Sequence, residues 1–97
     1  MESHKVVSKE MGITHKDFFR TIENAIGDTK LRVLDSGVIL HSQNSKLEIL
    51  LGPERERKIG LLRFPITDVI FHFHGYSGAS VKKIIKRFDL RFKRGGG

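Results

Sequence analysis

With 97 residues, Cys 0, 38% hydrophobic and 30% charged residues, the chain has room for one domain around one core, without disulfides or thiolate metal sites. No stretch approaches the ~20 apolar residues of a membrane span, and Met1-Glu2-Ser3-His4-Lys5 lacks the apolar run of a signal peptide, so a cytoplasmic protein with no membrane partner is expected. The net charge of +7 is unevenly placed: Ser77 to Arg94 hold seven bases and one acid, against eleven bases and ten acids elsewhere.

Lys5-Val6-Val7-Ser8-Lys9 reads as a first strand. Met11-Gly12-Ile13 leads to Thr14, a helix N-cap with Asp17 at the third helical position, close to a capping box. A helix is predicted from His15 to Ile26, with Phe18, Phe19, Ile22, Ala25 and Ile26 on one face and Lys16, Arg20 and Glu23 opposite. Gly27 stands where a helix end takes a left-handed residue. Lys30 to Asp35 and Val38 to Ser42 read as a hairpin about Asp35-Ser36-Gly37, and Gln43-Asn44-Ser45 as the next turn. Lys46 to Leu51 is a strand with Leu47, Ile49 and Leu51 on one side. Gly52-Pro53-Glu54-Arg55-Glu56 reads as a polar loop, Ile59 to Phe64 as a strand broken by Pro65, and Thr67 to His74 as its resumption.

Between Thr67 and His74 apolar Val69, Phe71 and Phe73 alternate with Ile70, His72 and His74, the two-residue period of a strand. Gly75-Tyr76-Ser77-Gly78 stops it, and Ser77 or Ser80 can cap the helix that follows. There Val81, Ile84, Ile85 and Phe88 make one apolar stripe, with Lys82, Lys83, Lys86 and Arg87 around the remainder. Leu90 and Phe92 alternate with Arg91 and Lys93, as in a short terminal strand or a segment pressed against the body. The expected fold is α+β: an antiparallel four- to five-stranded sheet with two helices on one face, in the order β-α-β(4–5)-α, spanning residues 1–94, with 95–97 a flexible glycine tail. That order resembles the strand–helix–four-strand–helix plan of TATA-binding-protein-like and related helix-on-sheet folds. The likeness is one of element order, and fold does not carry function.

The motifs are weak individually. Gly75-Tyr76-Ser77-Gly78-Ala79 nearly matches a nucleophile elbow, but no histidine follows His74 and the chain is too short for the fold that carries such an elbow, so it reads as a turn with a capping serine. A glycine-rich helix start next to Lys82 and Lys83 suits an anion, without matching a phosphate-loop or dinucleotide pattern. His72 and His74 share a strand face, a spacing found in metal sites, and His41 is a conceivable third ligand; no metal and no cofactor is assigned.

The basic helix carries the most weight. Lys82/Lys86 and Lys83/Arg87 are like-charge pairs one turn apart, and Lys82 and Lys83 sit where the helix dipole disfavours cations. The expectation is therefore a non-enzymatic protein contacting nucleic acid or another polyanion through Lys82, Lys83, Lys86, Arg87, Arg91, Lys93 and Arg94. The bland reading of the same helix is a solvated, solubilising face, and two further functional alternatives stand beside it. One is a homodimer or protein-interaction module using a half-apolar sheet face of Leu34, Ile39, Leu50, Leu62 and Ile70. The other is a small ligand or a metal at His72/His74 and the Gly75–Ser80 turn, with His72, His74, Ser77 and Ser80 as its candidate residues.

Overall fold

The computed structural model describes residues 4–25 and 30–95, with the backbone alone at 24–25, 30 and 93–95. Strand β1 (His4–Met11) precedes helix α1 (His15–Ala25). Five strands follow, β2 (Lys30–Leu34), β3 (Gly37–His41), β4 (Lys46–Leu51), β5 (Arg55–Ile59) and β6 (Leu62–His74), before helix α2 (Gly78–Gly95). The fold is the expected α+β arrangement, an antiparallel sheet with two helices, here built from six strands in the order β1-β6-β4-β3-β2 with β5 paired to β6. Ile26, Gly27, Gly96 and Gly97 lie outside the described residues.

Alternation along β6 places the core. Val69, Phe71 and Phe73 are fully buried, while Ile70, His72 and His74 on the other face are half-buried. Phe18 and Ile22 of α1 and Val81, Phe88 and Phe92 of α2 close over the Phe71 side. Phe88 meets Phe71 edge-on with centroids 5.4 Å apart, and Phe92 stacks on Phe18 at 5.6 Å. Each such buried side chain contributes on the order of 1.5–3 kcal/mol relative to exposure. Both helices therefore cover one sheet face, because each has a single apolar stripe to bury. Thr14 caps α1 as expected, its Oγ1 accepting the Asp17 N–H at 3.0 Å.

Three local expectations fail, each for an identifiable reason. The strand expected over Ile59 to Phe64 reverses on itself at Gly60-Leu61, so that Ile59 pairs with Leu62. Gly60 has φ 61° and Leu61 does not adopt positive φ, the type II′ pattern of a two-residue hairpin that needs glycine first. The polar loop expected over Gly52 to Glu56 is only three residues long, since Arg55 already begins β5. Between the pairs Leu51↔Val69 and Arg55↔Ile66, Gly52, Pro53 and Glu54 face only Thr67 and Asp68, which makes a bulge. Lastly, of the two readings of Leu90 to Phe92 the strand fails: α2 runs on to Gly95, and the segment is pressed against the body through Phe92, buried on the same stripe as Val81 and Phe88.

Pro65 does not interrupt β6. Residues flanking a two-residue turn form a hydrogen-bonded pair, so alternate residues Leu62, Phe64 and Ile66 turn their N–H and C=O groups toward β5. Pro65 falls between them, and its missing N–H points to an edge with no paired strand among the described residues, because β1 ends opposite Thr67. Beyond that point β5 and the start of β6 form a two-stranded arm, and the molecule measures 50 × 23 × 22 Å.

Candidate polyanion-binding surface

The turn into α2 is set by Gly75 and Ser77. Gly75 has φ 80°, and a Cβ there would approach the Asn44 carbonyl oxygen to 2.6 Å. Ser77 is the cap: its Oγ accepts the Ser80 N–H at 3.2 Å and donates to the Ser80 Oγ at 3.0 Å, while its carbonyl accepts the Val81 N–H. The Ser77 hydroxyl is thus engaged with Ser80, not with an imidazole that would activate it, and the hydrolase reading has no support.

From this cap α2 presents two adjoining rows, Lys82-Lys86-Leu90 and Lys83-Arg87-Arg91, their members one turn or ~6 Å apart. All six residues are exposed. The first turn of α2 contains no acid. Asp89, its one carboxylate, is half-exposed and is held by Lys9 of β1. Among the described residues no ion pair involves Lys82, Lys83, Lys86, Arg87 or Arg91; the pairs lie at Lys9, Arg20, Arg55, Arg57 and Arg63. The side chains of Lys93 and Arg94 lie outside the described residues, although the helix backbone carries them.

Acids of the body gather at the opposite task, fastening the arm. Glu10 of β1 accepts from Arg57 at 2.8 Å and from Arg55 at 3.2 Å, and Arg55 also reaches Asp68 at 2.9 Å. The hydrogen bond from Arg55 and the charge of Arg57 hold the Glu10 carboxyl below the usual glutamate range. In return, the hydrogen bond to Glu10 and the charge of Asp68 raise the Arg55 guanidinium further. Glu54 accepts the His15 N–H at 2.5 Å at the start of α1, and His15 Nε2 lies 2.7 Å from the Gly52 carbonyl oxygen. The bulge is therefore tied to a helix N-terminus, where a carboxylate is favourable.

The strand histidines lie along one end of the sheet. Register puts His4, His74, Lys46 and His41 in one row across β1, β6, β4 and β3. His4 stacks on His74 with centroids 4.4 Å apart, and its Nε2 lies 3.1 Å from His72 Nδ1. Lys46 separates His74 from His41, and among the described residues no three His, Asp or Glu groups converge as metal ligands. A polar depression of ≈ 360 Å³ lies beside this row, lined by His41, Lys46, His74 and the 42–45 turn; Ser77 and Ser80 do not line it. Of His72, His74, Ser77 and Ser80, His74 alone lines this depression.

The half-apolar sheet face is present but divided. Leu34, Ile39, Leu50 and Ile70 lie on the side away from the helices and are half-buried; Leu34, Leu50 and Ile70 share one row, and Ile39 stands in the next among Arg32, Glu48 and His72. Leu62 shares their parity on β6 but stands out on the arm. Four of the seven exposed large apolar groups among the described residues stand there, Ile59 59%, Leu61 101%, Leu62 62% and Phe64 42%; Val6, Val33 and Leu90 lie elsewhere. Sequence reasoning missed this arm. The signal was a Gly-x pair between two strand-like runs, obscured because Ile59 to Phe64 also reads as one continuous strand.

No protein-family model matches the chain, and neither a curated protein nor a solved structure matches it.

Proposed function

We propose that the protein is a non-enzymatic binding domain that docks α2 against the phosphate backbone of a nucleic acid. The observation that carries this reading is the pair of exposed rows on α2, five cations with no ion-pair partner among the described residues. A helix shaped for stability alone would place acids in its first turn and alternate charges around its outer face; α2 does neither. The helix is firmly seated, since Val81, Phe88 and Phe92 are buried beneath it. Its cations are thus carried on a rigid support, which lowers the entropy lost on contact. The buried aromatics leave no stacking platform for unpaired bases on α2, so contacts go to phosphates and sequence preference is weak.

The test is fluorescence anisotropy with short labelled duplexes and single strands across a salt series. Contact with about three or four phosphates lowers duplex affinity roughly 40- to 150-fold between about 50 and about 200 mM salt. Replacing Lys83 and Arg87 together by Glu removes the binding while circular dichroism and melting stay unchanged. Binding that ignores salt, or that survives the double replacement undiminished, defeats the reading.

A further inference from the structure

The arm has a chemistry of its own, separate from α2. Its cations Arg55, Arg57, Lys58 and Arg63 are matched in number by Glu10, Glu54, Glu56 and Asp68 on or beside it. Glu10 and Asp68 hold Arg55 and Arg57, and Arg63 lies 3.8 Å from Glu56. The arm is thus neutral as a unit, and apolar at Ile59, Leu61, Leu62 and Phe64, with Leu61 fully exposed. A phosphate backbone or an anionic lipid surface would gain little from it. A two-stranded ribbon with an uncovered apolar face is marginal by itself, and this pattern fits a protein surface.

The free edge of β5 specifies which one. Among the described residues β5 pairs only with β6. Since Ile59 and Leu62 close a two-residue turn, Arg55, Arg57 and Ile59 bond inward to β6, and Glu56 and Lys58 turn their N–H and C=O groups outward. An antiparallel copy of β5 centred on Arg57 sets Glu56 of each chain opposite Lys58 of the other. These are the two residues with outward groups, so they meet as hydrogen-bonded pairs, and their side chains carry opposite charge. Continuing the register, Ile59 faces Arg55 of the second copy, and Leu61 comes beside its Pro53. At the centre the two Arg57 side chains are each already neutralised by Glu10 of their own chain at 2.8 Å. The other edge of the arm is closed to such pairing by Pro65.

We infer that β5 is a dimerisation strand, and that two copies of this chain join their sheets edge to edge through a two-fold at Arg57. The dimer places two basic helices in one particle, but it is independent of any polyanion. It does not rest on the reading of α2.

Sedimentation velocity over a concentration series, without nucleic acid, tests it. Wild type moves from 11.1 kDa toward twice that mass as concentration rises. Glu56→Lys and Lys58→Glu each oppose like charges at both contacts and weaken self-association about tenfold or more. The double exchange, Glu56→Lys with Lys58→Glu, restores it. Mixing the two single variants yields a one-to-one heterodimer, because each supplies the charge the other lacks. Wild type that remains at 11.1 kDa at its highest soluble concentration overturns the inference. So does a dimer equally stable in both single variants, or two folded single variants that fail to combine.

Discussion

Lys9 of β1 reaches across to α2 and holds Asp89, the one carboxylate between Ser77 and Arg94. The contact leaves the outer face of α2 with cations alone. Asp89→Asn therefore removes a partly exposed ion pair, a loss of about 0.2–1 kcal/mol in stability. At low salt it raises affinity for a duplex about twofold, by adding one unit of positive charge beside the basic rows. Thermal melting and anisotropy on the same variant separate the two effects.

The Glu10 cluster gives the protein an acid-sensitive joint. Glu10 has a depressed folded pKa, so its contribution is complete above the ordinary glutamate range and is lost as pH falls through the lower folded value. Amide exchange or proton-detected chemical shifts at Arg55 to Phe64 should therefore show the arm loosening at low pH before the α1–α2 core opens. Glu10→Gln loosens the arm at neutral pH and removes that part of the acid response. An arm that loosens only together with the core contradicts the assignment.

Gly75→Ala strains two things together. The left-handed backbone at φ 80° disfavours alanine, and its Cβ meets the Asn44 carbonyl oxygen, a backbone atom without freedom to swing aside. A destabilisation of about 1–3 kcal/mol is expected in chemical denaturation. Leu61→Ser serves as the contrast, since a fully exposed side chain at the arm tip changes the stability of the isolated chain by less than about 0.5 kcal/mol.

The core was legible where periodicity is local. Phe18 and Ile22 on a 3.6-residue stripe, and Val69, Phe71 and Phe73 on a two-residue one, declare helix and strand without any partner in view. The uneven placement of charge was equally plain, because lysines and arginines one turn apart on α2 need only the helix period to share a face. The cap of α2 was legible as Ser77 or Ser80, and the structure selects Ser77.

Other features depended on residues distant in sequence. Leu90, Arg91 and Phe92 alternate like a strand, and only Phe18, stacked on Phe92, makes the helical continuation the one that buries the ring. Pro65 looks like a break until β1 is seen to end opposite Thr67, which leaves its missing N–H facing an edge with no paired strand among the described residues. The salt-linked foot of the arm joins Glu10 to Arg55 and Arg57, more than forty residues away. A short sequence window reports the preference of each backbone segment; which edge stays unpaired, and which carboxylate spends its charge on an internal partner, follow from strand order, and strand order is decided by packing the whole chain at once.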